Sequence, residues 1–137
     1  MTAEIVLKKL RVFLQVFSVF IFSGALVELF FLGHTREKLQ FMPFILITLG
    51  IILALAMLIK PSVKMAKVLR LGMWFVLIGG VVGMGVHIAG NLEQLREPFT
   101  LWQILKQGFA GGNPFLAPGI LSMAAALSLS SVYKYQA

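Results

Sequence analysis

Four long apolar stretches, residues 12–32, 41–59, 71–90 and 115–132, constrain this chain more than any other feature. Each holds about 18–21 residues, so a helix rising ~1.5 Å per residue reaches roughly 27–32 Å, close to the ~30 Å hydrocarbon core of a bilayer. No water pairs backbone N–H and C=O groups at that depth, and a helix pairs them within itself. The stretches therefore predict an all-α, polytopic membrane protein, a four-transmembrane-helix bundle in the lipid bilayer. Of the 137 residues, 12% are charged and 59% hydrophobic, against about 25% charged in a soluble domain. One integral membrane domain over residues 1–137 accounts for the whole length. A cleaved signal peptide would use residues 8–11 as its basic region and Ser23-Gly24-Ala25 as its cleavage site. The apolar run continues to Leu32, so the first stretch reads as an uncleaved span.

The net charge of +7 is unevenly placed. Lys8, Lys9 and Arg11 precede the first span, Lys60, Lys64, Lys67 and Arg70 lie between the second and third, and Lys134 follows the fourth. The other two connections carry Arg36, Lys38, Arg96 and Lys106 against Glu37, Glu93 and Glu97. This is the positive-inside asymmetry, and it predicts cytoplasmic N and C termini in a plasma (inner) membrane. A basic face against anionic head groups explains the charge without nucleic acid. The segment 60–70 reads as a cytoplasmic loop partly lying in the interface. The absence of cysteine removes disulfides, thiolate metal sites and c-type haem attachment.

Small residues suggest how the spans pack. In the third, Gly72, Gly79, Gly83 and Gly90 fall within about 40° of one line, and Gly79-x-x-x-Gly83 has the spacing of close membrane helix pairs. In the fourth, Gly119, Ser122, Ala126 and Ser130 form a second line. The two lines are candidates to face each other or a second chain. The connection before the fourth span predicts a short interfacial amphipathic helix over residues 100–108. Thr100 is its N-cap, Leu101, Trp102, Leu105 and Phe109 its apolar face, and Gln103, Lys106 and Gln107 its polar face.

Chemistry-capable residues gather at the outer edge: Glu28, His34, Gln40, His87, Asn91, Glu93 and Glu97. His87 lies one turn beyond Gly83, pointing toward a helix interface. A carboxylate facing lipid is costly, so Glu28 is expected to face the bundle, to be protonated or to reach the head groups. The main expectation is a hydrogen-bonded cap in which Glu28, His34, His87 and Asn91 tie the first three spans together. A site is the rival: Glu28, His34 and His87 are enough ligands on paper for a metal such as Zn²⁺ or Cu²⁺, or could pass protons, bind a quinone or hold a haem. No motif spacing supports a particular cofactor, so none is predicted. Phosphate-binding loops and serine–histidine pairs are missing from the pattern. The sequence thus points to a non-catalytic accessory subunit or homo-oligomer component of a larger membrane complex. The alternatives are a small transporter, channel or metal- or proton-handling protein using the outer cluster, and, more weakly, a membrane enzyme with a lipid substrate.

Overall fold

A computed structural model of the chain describes residues 2–33, 38–95 and 99–135. Among these the chain is all-helical: α1 (Ala3–Phe31), a 3-10 turn (Lys38–Phe41), α2 (Met42–Ile59), α3 (Val63–Leu92), α4 (Leu101–Ala110) and α5 (Leu116–Ser131). Three of them, α1, α2 and α3, are long and apolar enough to cross a membrane, which associates the chain with one. The fourth apolar stretch forms a 16-residue helix. It reaches ~24 Å and falls short of that length.

Two helices extend well past the apolar stretches that announced them. α1 has 29 residues and so runs ~43 Å, its residues 3–11 adding ~13 Å before the apolar run begins. α3 has 30 residues and starts at Val63, where the Ser62 hydroxyl accepts a bond from the Met65 N–H at 3.1 Å. The segment expected as an interfacial loop is therefore mostly helix, and the α2–α3 connection is only residues 60–62. The physical reason is propensity: Lys64, Met65, Ala66, Lys67, Leu69 and Arg70 are strong helix formers, and after Pro61 and the Ser62 cap nothing stops them before the apolar run. Lys64, Lys67 and Arg70 consequently stand on a rigid helical turn.

α5 packs against α1 and α3, α2 packs against the same two helices, and α4 rests on α3. The core has no solvent access at Phe22, Ile47, Leu69, Met73 and Val76. Phe22 fits because α2 offers Gly50 opposite it: a Cβ there would lie 2.7 Å from the ring.

The glycine line of α3 meets more than one neighbour. Gly72 abuts Leu53 of α2, and a Cβ on Gly79 would lie 2.6 Å from Leu46 Cδ1 on the same helix. Gly83 turns instead to α5, where its Cβ would approach Pro118 Cβ to 2.9 Å, and Gly90 faces the Asn113 side chain. Gly80, off that line, is buried against Pro118 O and Ser122 of α5. From α5, Gly119 approaches Met84 and the Ser122 hydroxyl donates to Leu77 O at 2.8 Å. Ala126, placed on the same small-residue line, is exposed. The 3.6-residue period explains the split: a helix wedged between two partners presents positions one residue apart to different sides.

Candidate functional site

The described members of the outer cluster have different surroundings. Asn91 is fully buried near the end of α3. Its Nδ2 donates to Gly108 O at 3.1 Å and to Asn113 O at 2.9 Å, and its Oδ1 accepts from the Asn113 N–H at 2.7 Å. These bonds tie α3 to α4 and to the chain entering α5, not to the first two spans as the cap expectation held. Gly111 closes over the knot, where a Cβ would lie 2.5 Å from Asn91 Cγ. The reason is local chemistry. The Gly-Gly-Asn-Pro turn after α4 leaves backbone groups that no helix pairs, and a primary amide with two donors and one acceptor matches them.

His87, one turn earlier on α3, is half-buried, with Nδ1 3.1 Å from Pro114 O. A carbonyl only accepts, so Nδ1 is the donor in this contact. His87 therefore holds the same connection that Asn91 holds. It also lines a narrow cleft of about 50 Å³ together with Glu28, Leu29, Pro43 and Pro118. Glu28 itself is exposed. Gln40 is half-buried at the start of α2, and Glu93 is exposed just past α3. His34 and Glu97 lie outside the described residues, so of the candidate metal set only Glu28 and His87 are placed, and they share the cleft. Among the described residues no three His, Cys, Asp or Glu side chains group to hold a metal.

α4 is capped by a reciprocal pair. The Thr100 N–H donates to Gln103 Oε1 at 2.7 Å, and the Gln103 N–H donates to Thr100 Oγ1 at 3.3 Å, the capping-box arrangement. Gly108 turns inward against Ile88 and Leu92 of α3. The stripe of Leu101, Trp102, Leu105 and Phe109 is exposed, and the Phe109 ring meets that of Phe115 edge-on with centroids 5.0 Å apart.

The opposite end holds polar contacts that the sequence reading did not single out. Arg11 Nη2 donates to Tyr133 O at 3.2 Å and to Lys134 O at 3.4 Å, and its guanidinium lies 5.1 Å from the Tyr135 ring centroid. Arg70 Nη2 donates to Val132 O at 2.7 Å. The N-terminal turns of α1 and α3 thus grip the carbonyls just past the end of α5, Val132 O also accepting from the Tyr135 N–H at 3.1 Å, at the pole where a helix favours cations. Deeper in, the Ser18 hydroxyl donates to Ala124 O at 2.7 Å and the Ser128 hydroxyl to Gln15 Oε1 at 2.8 Å, both buried. The Gln15 Nε2 is buried with no partner among the described residues. A signal for this layer existed: Gln15 and Ser18 stand three residues apart in the first apolar stretch, as do Ser128 and Ser131 in the last. Each pair therefore occupies one helix face. Comparison of the chain with protein-family models, with curated proteins and with solved structures returns no match.

Proposed function

We propose that this is a four-span, plasma (inner) membrane protein with both termini cytoplasmic, acting as a non-catalytic component of a membrane assembly, either as a homo-oligomer or as an accessory subunit. The observation that carries this reading is how the inward-facing polar side chains are used. Asn91, His87, Ser18, Ser122 and Ser128 all bond groups of this same chain. The outward faces are apolar, as in the α3 stripe Leu71, Phe75, Ile78 and Val82, each more than half exposed. A chain built so presents surfaces for lipid and for other helices. The inside-facing assignment rests on charge: Lys8, Lys9, Arg11, Lys64, Lys67, Arg70 and Lys134 belong to segments that the Arg11 and Arg70 bonds bring to one end, and the basic end is retained in the cytoplasm. The short α5 completes the fourth crossing beside α1 and α3.

Two measurements test this. Native mass measurement of the protein extracted with its surrounding lipid is expected to show a defined oligomer or a stoichiometric protein partner; a bare monomer overturns the assembly reading. A cysteine placed at Lys64 is expected to resist impermeant reagents in intact cells, and labelling from outside reverses the orientation.

A second reading has one observation in its favour: Glu28 and His87 line a common cleft. On it the pair handles protons or a metal ion such as Zn²⁺. Elemental analysis of purified wild type beside a His34→Ala/His87→Ala variant decides. Stoichiometric metal lost in the variant favours the site, and a blank in both leaves the packing role.

A further inference from the structure

The end gripped by Arg11 and Arg70 contains a partly open cavity of about 560 Å³, framed by α1, the end of α2 and the chain after α5. That volume lies within the ~300–1,000 Å³ range of ligand sites. α1 presents to it Glu4, Lys8, Arg11 and Gln15, residues spaced four, three and four apart and therefore on one face within ~60°. Across the cavity stands Lys134, whose backbone is held at φ 45°, a left-handed conformation that side chains other than glycine rarely adopt. Three cations against one carboxylate make the cavity net positive. Arg11 is engaged with the α5 carbonyls, but the Lys8 ammonium has no hydrogen bond or ion pair among the described residues, and that of Lys134 only overhangs the Tyr133 ring. Leu7, Val12, Met57 and Leu58 supply apolar wall beside these groups.

Gln15 supplies the second, independent observation. It is 3% exposed, lines the cavity, and its Nε2 has no acceptor among the described residues. A buried donor left unpaired is unfavourable and calls for a partner that the described residues do not supply. Gln15 sits about one turn deeper than Arg11 along α1, ~6 Å further into the apolar layer. A ligand meeting all of these features carries an anion held by Lys8 and Lys134, a hydrogen-bond acceptor at Gln15, about two turns or ~10 Å further along α1 than Lys8, and hydrocarbon beyond.

We infer that this cavity binds one anionic phospholipid, its phosphate between Lys8 and Lys134, an ester carbonyl accepting from Gln15 Nε2, and an acyl chain along Met57 and Leu58. The inference rests on the chain lying in a membrane with this end at a leaflet surface. It does not depend on which leaflet that is.

The test is native mass spectrometry of the detergent-purified chain with added phosphatidylglycerol or phosphatidylcholine. Wild type is expected to retain one phosphatidylglycerol per chain with a roughly 30-fold preference over phosphatidylcholine, the size expected for two lysines beside an anionic head group. Lys8→Ala/Lys134→Ala is expected to abolish the preference, with helix content by circular dichroism unchanged. Lys9→Ala/Lys106→Ala, which removes the same charge outside the cavity, is expected to keep it. Equal retention of the two lipids by wild type, or equal loss in both double variants, overturns the site. Displacement of the lipid by millimolar inorganic phosphate reassigns the cavity to a free anion and overturns the lipid. A chain that stays dispersed without detergent refutes the membrane placement instead, a result separate from any lipid preference.

Discussion

The two ends of the molecule handle polar groups in opposite ways. At the α4 end, Asn91 is buried with each donor and acceptor of its amide matched to the turn that precedes α5. At the basic end, Gln15 is about as deeply buried but, among the described residues, bonds only Ser128, and a cavity opens beside it. The same functional group thus serves as a fully paired bolt at one end and is half paired at the other. Burial does not separate the two; the count of satisfied hydrogen bonds does.

The contrast is broken most forcefully at Asn91. Asn91→Ala strips Gly108 O and Asn113 of their partners and is expected to lower stability by about 2–4 kcal/mol, read by SDS titration in mixed micelles. A loss below about 0.5 kcal/mol would mean that water replaces the amide and the bolt is dispensable. Gly83→Leu comes next. With Pro118 Cβ 2.9 Å from where a Cβ would stand, the larger side chain should separate α3 from α5 at a cost of about 1–3 kcal/mol. Gly85→Leu, which meets nothing within 4 Å, is the matched control, and equal effects would remove the packing explanation. Arg70→Ala loses a partly exposed charged bond to Val132 O and is expected to cost about 1 kcal/mol, seen as earlier proteolysis of the C-terminal residues. The smallest effect is expected at Gln15. In lipid-free micelles Gln15→Met removes both an orphan donor and one hydrogen bond, so stability should stay within about 1 kcal/mol of wild type. A loss as large as that of Asn91→Ala would erase the distinction between the two ends.

The helical class and the three long apolar helices were legible because a run of apolar residues is a one-dimensional signal, and so was the Thr100 cap, set by two side chains three residues apart. The extent of α1 and α3 was less so. The charged turns at 3–11 and 63–70 read as flanks because hydropathy marks where lipid ends, not where a helix ends; Ser62 was the overlooked start signal. The bonding of the polar residues was hidden for another reason. Asn91 was recognised as important, but its partners are backbone groups of residues 108 and 113, and a carbonyl carries no letter in the sequence. The same holds at Arg11 and Arg70, whose acceptors are carbonyls of residues 132–134.

The bonds joining α1 to α5 and the residues after it also impose an order in time. Ser18 pairs with residue 124, Gln15 with Ser128 and Arg11 with residues 133 and 134, so α1 is completed by chain made well after it. At a synthesis rate of ~5–20 residues per second, roughly 6–24 s separate their emergence from the ribosome. Through that interval the amide of Gln15 and the hydroxyl of Ser18 wait without the partners they end with, so α5 must be threaded back beside α1 after α2 and α3 have been made. A chain stalled short of Ser128 leaves α1 with its polar layer open.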